Sequence, residues 1–273
     1  MKRVLPTVLL NALLAALAVL VLAPLAWMVS ASFMVSGEAN HFPPPLLPSR
    51  ATFEHYTDLF TRLNLARAFG NSLLVAVLAT IVSLVTNSMA GYAFAKLRFR
   101  GRERTFRLLL AALVIPGQVS MLPLFLLLKS MGLVNTYTGV IVPFMATIFG
   151  IFMVRQYALS IPDDLLDAAR VDGAGEFRMF VEIVLPVLAP ILATLAVFTF
   201  LSAWNDFLWP LIVLSDDSRY TLPVALASLS GEHVQDTELM MAGSVLTVLP
   251  VLAVFLLLQR AYMRGVMMGS VKG

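Results

Sequence analysis

Cysteine is absent from all 273 residues. That excludes disulfides and thiolate metal sites. Charge is scarce: Asp, Glu, Lys and Arg make up 13% of the chain, about half the roughly 25% of an ordinary soluble domain. The three histidines, His41, His55 and His233, form no H-E-x-x-H pattern, and no G-x-x-x-x-G-K-[ST] occurs at any of the fifteen glycines. A zincin-type metal site and a nucleotide-binding P-loop are therefore both excluded. Alternating segments of about ten residues, the mark of a transmembrane barrel, are missing. No strong internal repeat points to an inverted-repeat transporter.

What is present is apolar sequence, 59% of residues. The run "VLLNALLAALAVLVLAPLAWMV" (8–29) carries one polar side chain, Asn11. About 20 such residues, at 1.5 Å rise each, cross a hydrocarbon core of about 30 Å. Six stretches meet that test: 8–29, 72–95, 108–128, 137–157, 187–213 and 241–259. Each closes its backbone hydrogen bonds as a helix, so the expected class is an all-α integral membrane protein with six transmembrane helices. With both termini cytoplasmic, fourteen of the nineteen basic residues fall inside, six of them in "KLRFRGRERTFR" (96–107). Only Arg50, Arg62, Arg67, Lys129 and Arg219 fall outside, as the positive-inside rule requires. This bias accounts for a pI near 9.4 without nucleic acid as a partner. The first apolar run exceeds the 7–15 residues of a signal core, so the expectation is an uncleaved span rather than a leader cut after Val29-Ser30-Ala31.

The expected organisation is a first span with an external loop (1–70), a transmembrane core (71–260) containing a cytoplasmic loop at 158–186, and a cytoplasmic tail (261–273). The external loop holds "FPPPLLPS" (42–49), a redirecting turn or a PPII segment, and "TFEHYTDLFTRLNLARAF" (52–69), whose Phe53, Tyr56, Leu59, Phe60 and Leu63 have helical spacing. Asn71 is a candidate N-cap for the second span. The short loop 129–136 makes the third and fourth spans a hairpin, and no discontinuous spans are expected in paired positions.

Between two of the most apolar stretches lies "LDAARVDGAGEFRMFVEIVLP" (166–186), with Asp167, Arg170, Asp172, Glu176, Arg178 and Glu182. "SIPDDLLDAARVDG" (160–173) carries helix signals at both ends. Ser160 with Asp163 fits an S-x-x-D cap, Pro162 suits a first turn, and Gly173 suits a left-handed stop. The resulting helix of about eleven residues is too short to span. Leu165, Ala168, Ala169 and Asp172 share one face, and Asp163, Asp167 and Arg170 another. A second helical piece, 176–184, precedes Pro186 and Pro190. The small-residue face suits a docking helix that fits a groove on a partner protein. An amphipathic linker on lipid headgroups is the alternative, but it would favour lysine and large apolar residues over alanine and aspartate. Asp167 and Arg170, three apart, also suit a simple pair.

This segment resembles ABC importer permeases, whose cytoplasmic loop reads E-A-A, three residues, G, nine residues, I-x-L-P. Ala168, Ala169, Gly173, Ile183, Leu185 and Pro186 stand at those spacings, with Asp167 in the glutamate place, one methylene shorter. At roughly one-tenth probability per position, six matches arise by chance about once in a million starts. "AGYAFAKLRFRGR" (90–102), "PLFLLLKSMGLVNTYTGVIVP" (123–143), "FLSAWNDFLWPL" (200–211) and "RGVMMGSVKG" (264–273) are similar to the carbohydrate branch, in particular the smaller permease of maltose-type and glycerol-phosphate-type systems.

The resemblance implies a type I ABC importer permease in a bacterial or archaeal-type cytoplasmic membrane, carrying a sugar, with di- or oligosaccharides favoured. It implies a second, different permease, two copies of an ABC ATPase, an extracytoplasmic solute-binding protein and membrane lipid as partners. No cofactor is expected on this chain; ATP and Mg belong to the ATPase. It also implies docking through Asp167, Ala168, Ala169, Arg170, Gly173, Ile183, Leu185 and Pro186, and the "VKG" end either reaches the ATPase pair or is a frayed terminus. For a translocation path the candidates are Trp204, Asn205 and Asp206, with Gln118, Asn87 and Ser88 weaker. Amide, carboxylate and indole suit sugar hydroxyls and faces, while an aromatic belt or interhelical bonding explains the same residues. A non-sugar ABC importer and an ion-coupled secondary transporter are the rival readings; the second needs a buried ionisable site, for which only Asp206 qualifies.

Overall fold

The computed structural model describes residues 4–61, 64–232 and 236–268, and no strand occurs among them. His233, Arg62 and the "VKG" end lie outside the described residues. Four helices are long and apolar enough to cross a membrane, or six if each of two bent pairs counts as one span. The chain divides into two units, Met1–Ala66 with Ala225–Pro250, and Arg67–Val224 with Val251–Gly273.

In the first unit, α1 (Val4–Ala31) is apolar around its whole circumference, with Val19 and Leu20 about two-thirds or more exposed. Such a helix needs lipid or another chain around it. Below it, Ala31, Met34 and Ala39 are buried with Trp27 and Met241 against them. Glu238, fully buried, accepts the Ala39 N–H at 2.6 Å. The helix expected within 52–69 is shorter: α2 (Glu54–Thr61) buries His55 and Leu59 and leaves Phe53 and Phe60 exposed.

The second unit is organised on α3 (Leu65–Lys96). Asn71 is not its N-cap, because the helix already begins at Leu65. The Asn71 side chain instead donates to the Ser218 and Tyr220 carbonyls (3.1 and 3.0 Å) and accepts from the Tyr137 hydroxyl (2.7 Å). Asn87 and Ser88 are both buried. Asn87 accepts the Thr147 N–H (3.1 Å) and donates to Ser83 (2.7 Å), the interhelical role, while Ser88 bonds back to its own helix.

Three expected spans are interrupted. In the third, α4 (Arg102–Ala112) and the helical stretch Gly117–Ser130, which includes α5 (Met121–Ser130), meet at 101°. Pro116, extended at ψ 132°, breaks the helix between them. Halves so inclined cannot both follow one bilayer normal. In the fourth, the stretch beginning with α6 (Tyr137–Ile141) bends by 42° before α7 (Ile148–Ala158). The Thr147 side chain caps the new helix by accepting the Gly150 N–H at 3.1 Å.

Conversely, the helical piece expected at 176–184 does not end before Pro186. After α8 (Asp163–Val171), α9 (Glu176–Met179) runs through one wide π turn (Phe180–Val184) into α10 (Leu185–Trp204), a continuous 29 residues. Pro186 has no N–H to offer Glu182, and a turn in which Leu185 N–H reaches Phe180 accommodates the proline without ending the helix. The fifth span then stops at Trp204 and resumes as α11 (Leu208–Val213), so Asn205, Asp206 and Phe207 form a turn inside it. The last helices are α12 (Leu222–Glu232) and α13 (Thr237–Met268).

Candidate docking helix and polar turn

Helix α8 is held to the second unit from one side. Leu166, 1% exposed, is the buried residue of that helix, and it joins a core with Ile161, Tyr92, Ala158, Phe180 and Val184. Its neighbour Leu165 is 44% exposed. The expected apolar face therefore splits: Leu166 anchors, while Leu165, Ala168 and Asp172 face outward and Ala169 is half-buried.

Polar contacts complete the mounting. Lys96, the last residue of α3, donates to the Ile161 carbonyl and to Asp163 Oδ1, each at 2.6 Å. That hydrogen bond, then the ammonium charge, holds the Asp163 carboxyl below its ordinary value. One turn earlier, Tyr92 donates to Glu176 Oε2 at 3.1 Å. Arg170 binds Glu176 Oε1 at 3.1 Å and Asp167 Oδ1 at 2.7 Å, and these two bonds raise the guanidinium pKa further. Asp167 and Arg170 thus pair within the loop and tie α8 to the start of α9. Between the α3 end and α8 lies a cleft of about 960 Å³, lined by Lys96, Arg98, Arg102, Asp163, Asp167 and Arg170 among others.

The helix ends differ from each other in how well the sequence foretold them. Ser160 does not cap the N-terminus: its hydroxyl turns back to the Tyr157 carbonyl (2.7 Å), and Pro162 occupies the cap position without a side-chain bond. Gly173 does stop the helix, at φ 80°. Its N–H reaches the Arg170 carbonyl and the Ala174 N–H reaches Ala169, which is the Schellman pattern. A Cβ added at Gly173 would meet nothing within 4 Å, so any cost there is a backbone cost. Gly173→Ala is expected to destabilise the cap by about 1–2 kcal/mol, and Gly173→Asn by less. Amide exchange across 163–174 checks this; equal exchange in all three proteins would contradict it.

Ile183 and Leu185 are half-buried against the same core, and Pro186 is exposed on the first turn of α10. They shape the root of the loop rather than its outer face.

The polar turn of the fifth span lies elsewhere in this unit. Trp204 is fully buried, stacked on Phe200 (5.9 Å, 9°) and edge-on to Phe69 (5.4 Å). No indole face is open to a sugar in this conformation. Asn205 is exposed, with its amide donating to the Leu201 carbonyl (2.8 Å). Asp206, half-buried, accepts the Trp209 N–H at 3.4 Å at the start of α11, and the Trp209 indole donates to the Gly139 carbonyl at 3.1 Å. Gln118 is exposed on the turn Gly117–Ser120. Among the described residues no hydrogen bond or ion pair joins it to 204–206. Lys96, Tyr92, Leu166 and Glu176 take part in this mounting and are not among the residues that the sequence pattern marks for docking. Lys96 stands 67 residues before Asp163, with two further apolar runs between them, so nothing local in the sequence pairs the two.

Apolar helices long enough to cross a membrane, with a charged helix mounted at the end of one of them, are the make-up of an integral membrane protein. Residues 87–267 match the family described as "Binding-protein-dependent transport system inner membrane component", and the chain belongs to that family. It is a multi-pass permease subunit of an ABC importer, and its family is one of transport subunits rather than enzymes. Among curated proteins, it is 41% identical over 253 residues to the arabinooligosaccharides transport system permease protein AraQ of Halalkalibacterium halodurans, covering 92% of this chain and 91% of that one. It is 34% identical to the lactose transport system permease protein LacG of Rhizobium radiobacter, over 100% and 98% of the two chains. Among solved structures, a bacterial ABC transporter involved in the import of the acidic polysaccharide alginate superposes with a TM-score of 0.82. That match has 23% identity and covers 94% of this chain and 96% of that one. The likeness speaks to fold, the type I ABC importer permease fold.

Proposed function

We propose that this chain is one of two different permease subunits of an ATP-driven importer for a sugar, a di- or oligosaccharide in particular, in a bacterial cytoplasmic membrane. The membrane-crossing segments, six if each bent pair counts as one span, place both termini in the cytoplasm, with 1–70 as the first span and external loop, 71–260 as the core and 261–273 as the tail. Two copies of an ABC ATPase, which hold ATP and Mg, dock beneath, and a solute-binding protein docks on the outer loops. The sugar assignment is supported by the named cargoes of the two curated relatives, arabinooligosaccharides and lactose. It is favoured over the non-sugar importer, and the ion-coupled reading has no support in the family assignment.

Within the loop 158–186, helix α8 transmits ATPase closure to the spans. Ala168, Ala169 and Leu165 meet the ATPase; Asp167 and Arg170 brace the helix; Gly173 ends it; Ile183, Leu185 and Pro186 join it to α10. Asn205, Asp206 and Gln118 line the path for solute, and Trp204 holds the turn that carries the first two. The observation that carries the reading is the two-sided character of α8, one leucine fully buried and the next almost half exposed beside alanines.

The test is co-purification with the ATPase, together with binding-protein-stimulated ATP hydrolysis, for wild type and Ala168→Trp. Ala168 is exposed, so an indole there leaves the fold intact and blocks close approach. Loss of complex, or at least a tenfold loss of stimulation, is expected, in line with coupling terms of about 1–3 kcal/mol. Normal coupling in Ala168→Trp sinks the docking assignment.

A further inference from the structure

We infer that the arginine-lined concavity at 98–107 is a seat for the phosphate of an anionic phospholipid. Gly101, at φ 89°, turns the chain back on itself ahead of α4. Arg98, Arg100, Arg102, Arg104 and Arg107 thereby line one hollow of about 790 Å³, with Glu103 as its one acid. That acid is already engaged: Glu103 Oε1 lies 3.2 Å from Arg102 and 3.4 Å from Arg155. Arg98, Arg100 and Arg104 are exposed and make no ion pair or hydrogen bond among the described residues. The helix that carries part of the hollow is anchored in the fold. Phe106 on α4 is buried against Phe94 (5.5 Å), and the Arg155 guanidinium lies 4.0 Å over its ring.

Guanidinium groups bind phosphate and carboxylate oxygens through paired N–H donors, so the hollow suits an oxyanion. What makes the ligand a lipid is the surface that continues from it. Along the same segment Leu108 (72%), Val114 (84%) and Ile115 (56%) are exposed, and the 101° bend turns α4 away from the helix that follows it. A basic helix set at an angle to a span, with apolar residues beside its arginines, is built for the headgroup–acyl boundary. A soluble phosphate would cover the arginines and leave those residues bare, whereas a diacyl lipid covers both. An acidic protein surface would leave them bare as well.

The test uses the full chain in neutral detergent, offered phosphatidylglycerol or phosphatidylcholine and read by native mass spectrometry. Wild type is expected to retain phosphatidylglycerol preferentially, with retention falling as salt rises. The variant Arg98→Gln/Arg100→Gln/Arg104→Gln is expected to lose affinity on the order of 100-fold, from three surface charges. None of the three makes a hydrogen bond or ion pair among the described residues, though Arg98 also lines the cleft beside α8 and its charge reaches Asp163; an unchanged melting curve shows that the fold is intact, and the salt series on wild type stands independently of it. Equal retention of the two lipids, or an unaltered triple variant, overturns the proposal. So does displacement by millimolar inorganic phosphate, which would make the seat one for free phosphate, or loss of ATPase co-purification without change in lipid retention.

Discussion

Leu166→Ala is expected to detach the docking helix from the membrane core. The side chain is 1% exposed and packs with Ile161, Tyr92 and Phe180, and truncating such a leucine typically costs about 2–5 kcal/mol. Nine residues of helix have little stability of their own, so that loss frees most of α8 even though Lys96 still holds its start. Faster amide exchange over 163–173 and collapse of binding-protein-stimulated ATP hydrolysis are the expected readouts. Leu165→Ala separates anchoring from docking. At 44% exposure Leu165 leaves the mounting intact, so exchange stays slow while ATPase affinity falls. If both variants exchange at the wild-type rate, the mounting does not depend on Leu166.

Gly91→Ala is the second large effect. A Cβ there would lie 2.5 Å from Val154 Cγ1, 2.6 Å from Val154 Cβ and 3.0 Å from the Arg155 backbone nitrogen. The conflict is therefore with the root of a branched side chain and with main chain, which cannot rotate away. Helices α3 and α7 must part, at about 1–3 kcal/mol or more. Because α3 also carries Tyr92 and Lys96, the displacement reaches the docking helix, and loss of both thermal stability and transport is expected. Val154→Ala should not rescue it, since Cβ and the Arg155 backbone remain. Full rescue by Val154→Ala would show that the crossing yields more easily than its geometry implies.

The loop illustrates how far composition and spacing reach. Gly173 was legible because a left-handed helix stop has few residue solutions, and Asp167 with Arg170 because a spacing of three puts them side by side on any helix. Ser160 misled because its hydroxyl found a nearer carbonyl, that of Tyr157. Asn71 misled for the opposite reason: its partners, Ser218, Tyr220 and Tyr137, lie far along the chain. The breaks in the spans were hidden because apolar runs read alike whether straight or bent, and Pro186 and Pro116 have opposite outcomes, one absorbed by a π turn and the other ending its helix.

Composition and spacing alone make this chain a helical membrane protein with a charged, helix-forming loop between two apolar runs. Long uncharged runs, the placement of arginine and the spacing of small residues are local properties that no packing can reverse. Packing decides which leucine of α8 is buried, that Lys96 and Tyr92 help to hold the loop, that Trp204 is core, and that the arginines of 98–107 line one hollow. Each of these depends on contacts between segments distant in sequence, and helical periodicity cannot specify which neighbour a face will meet.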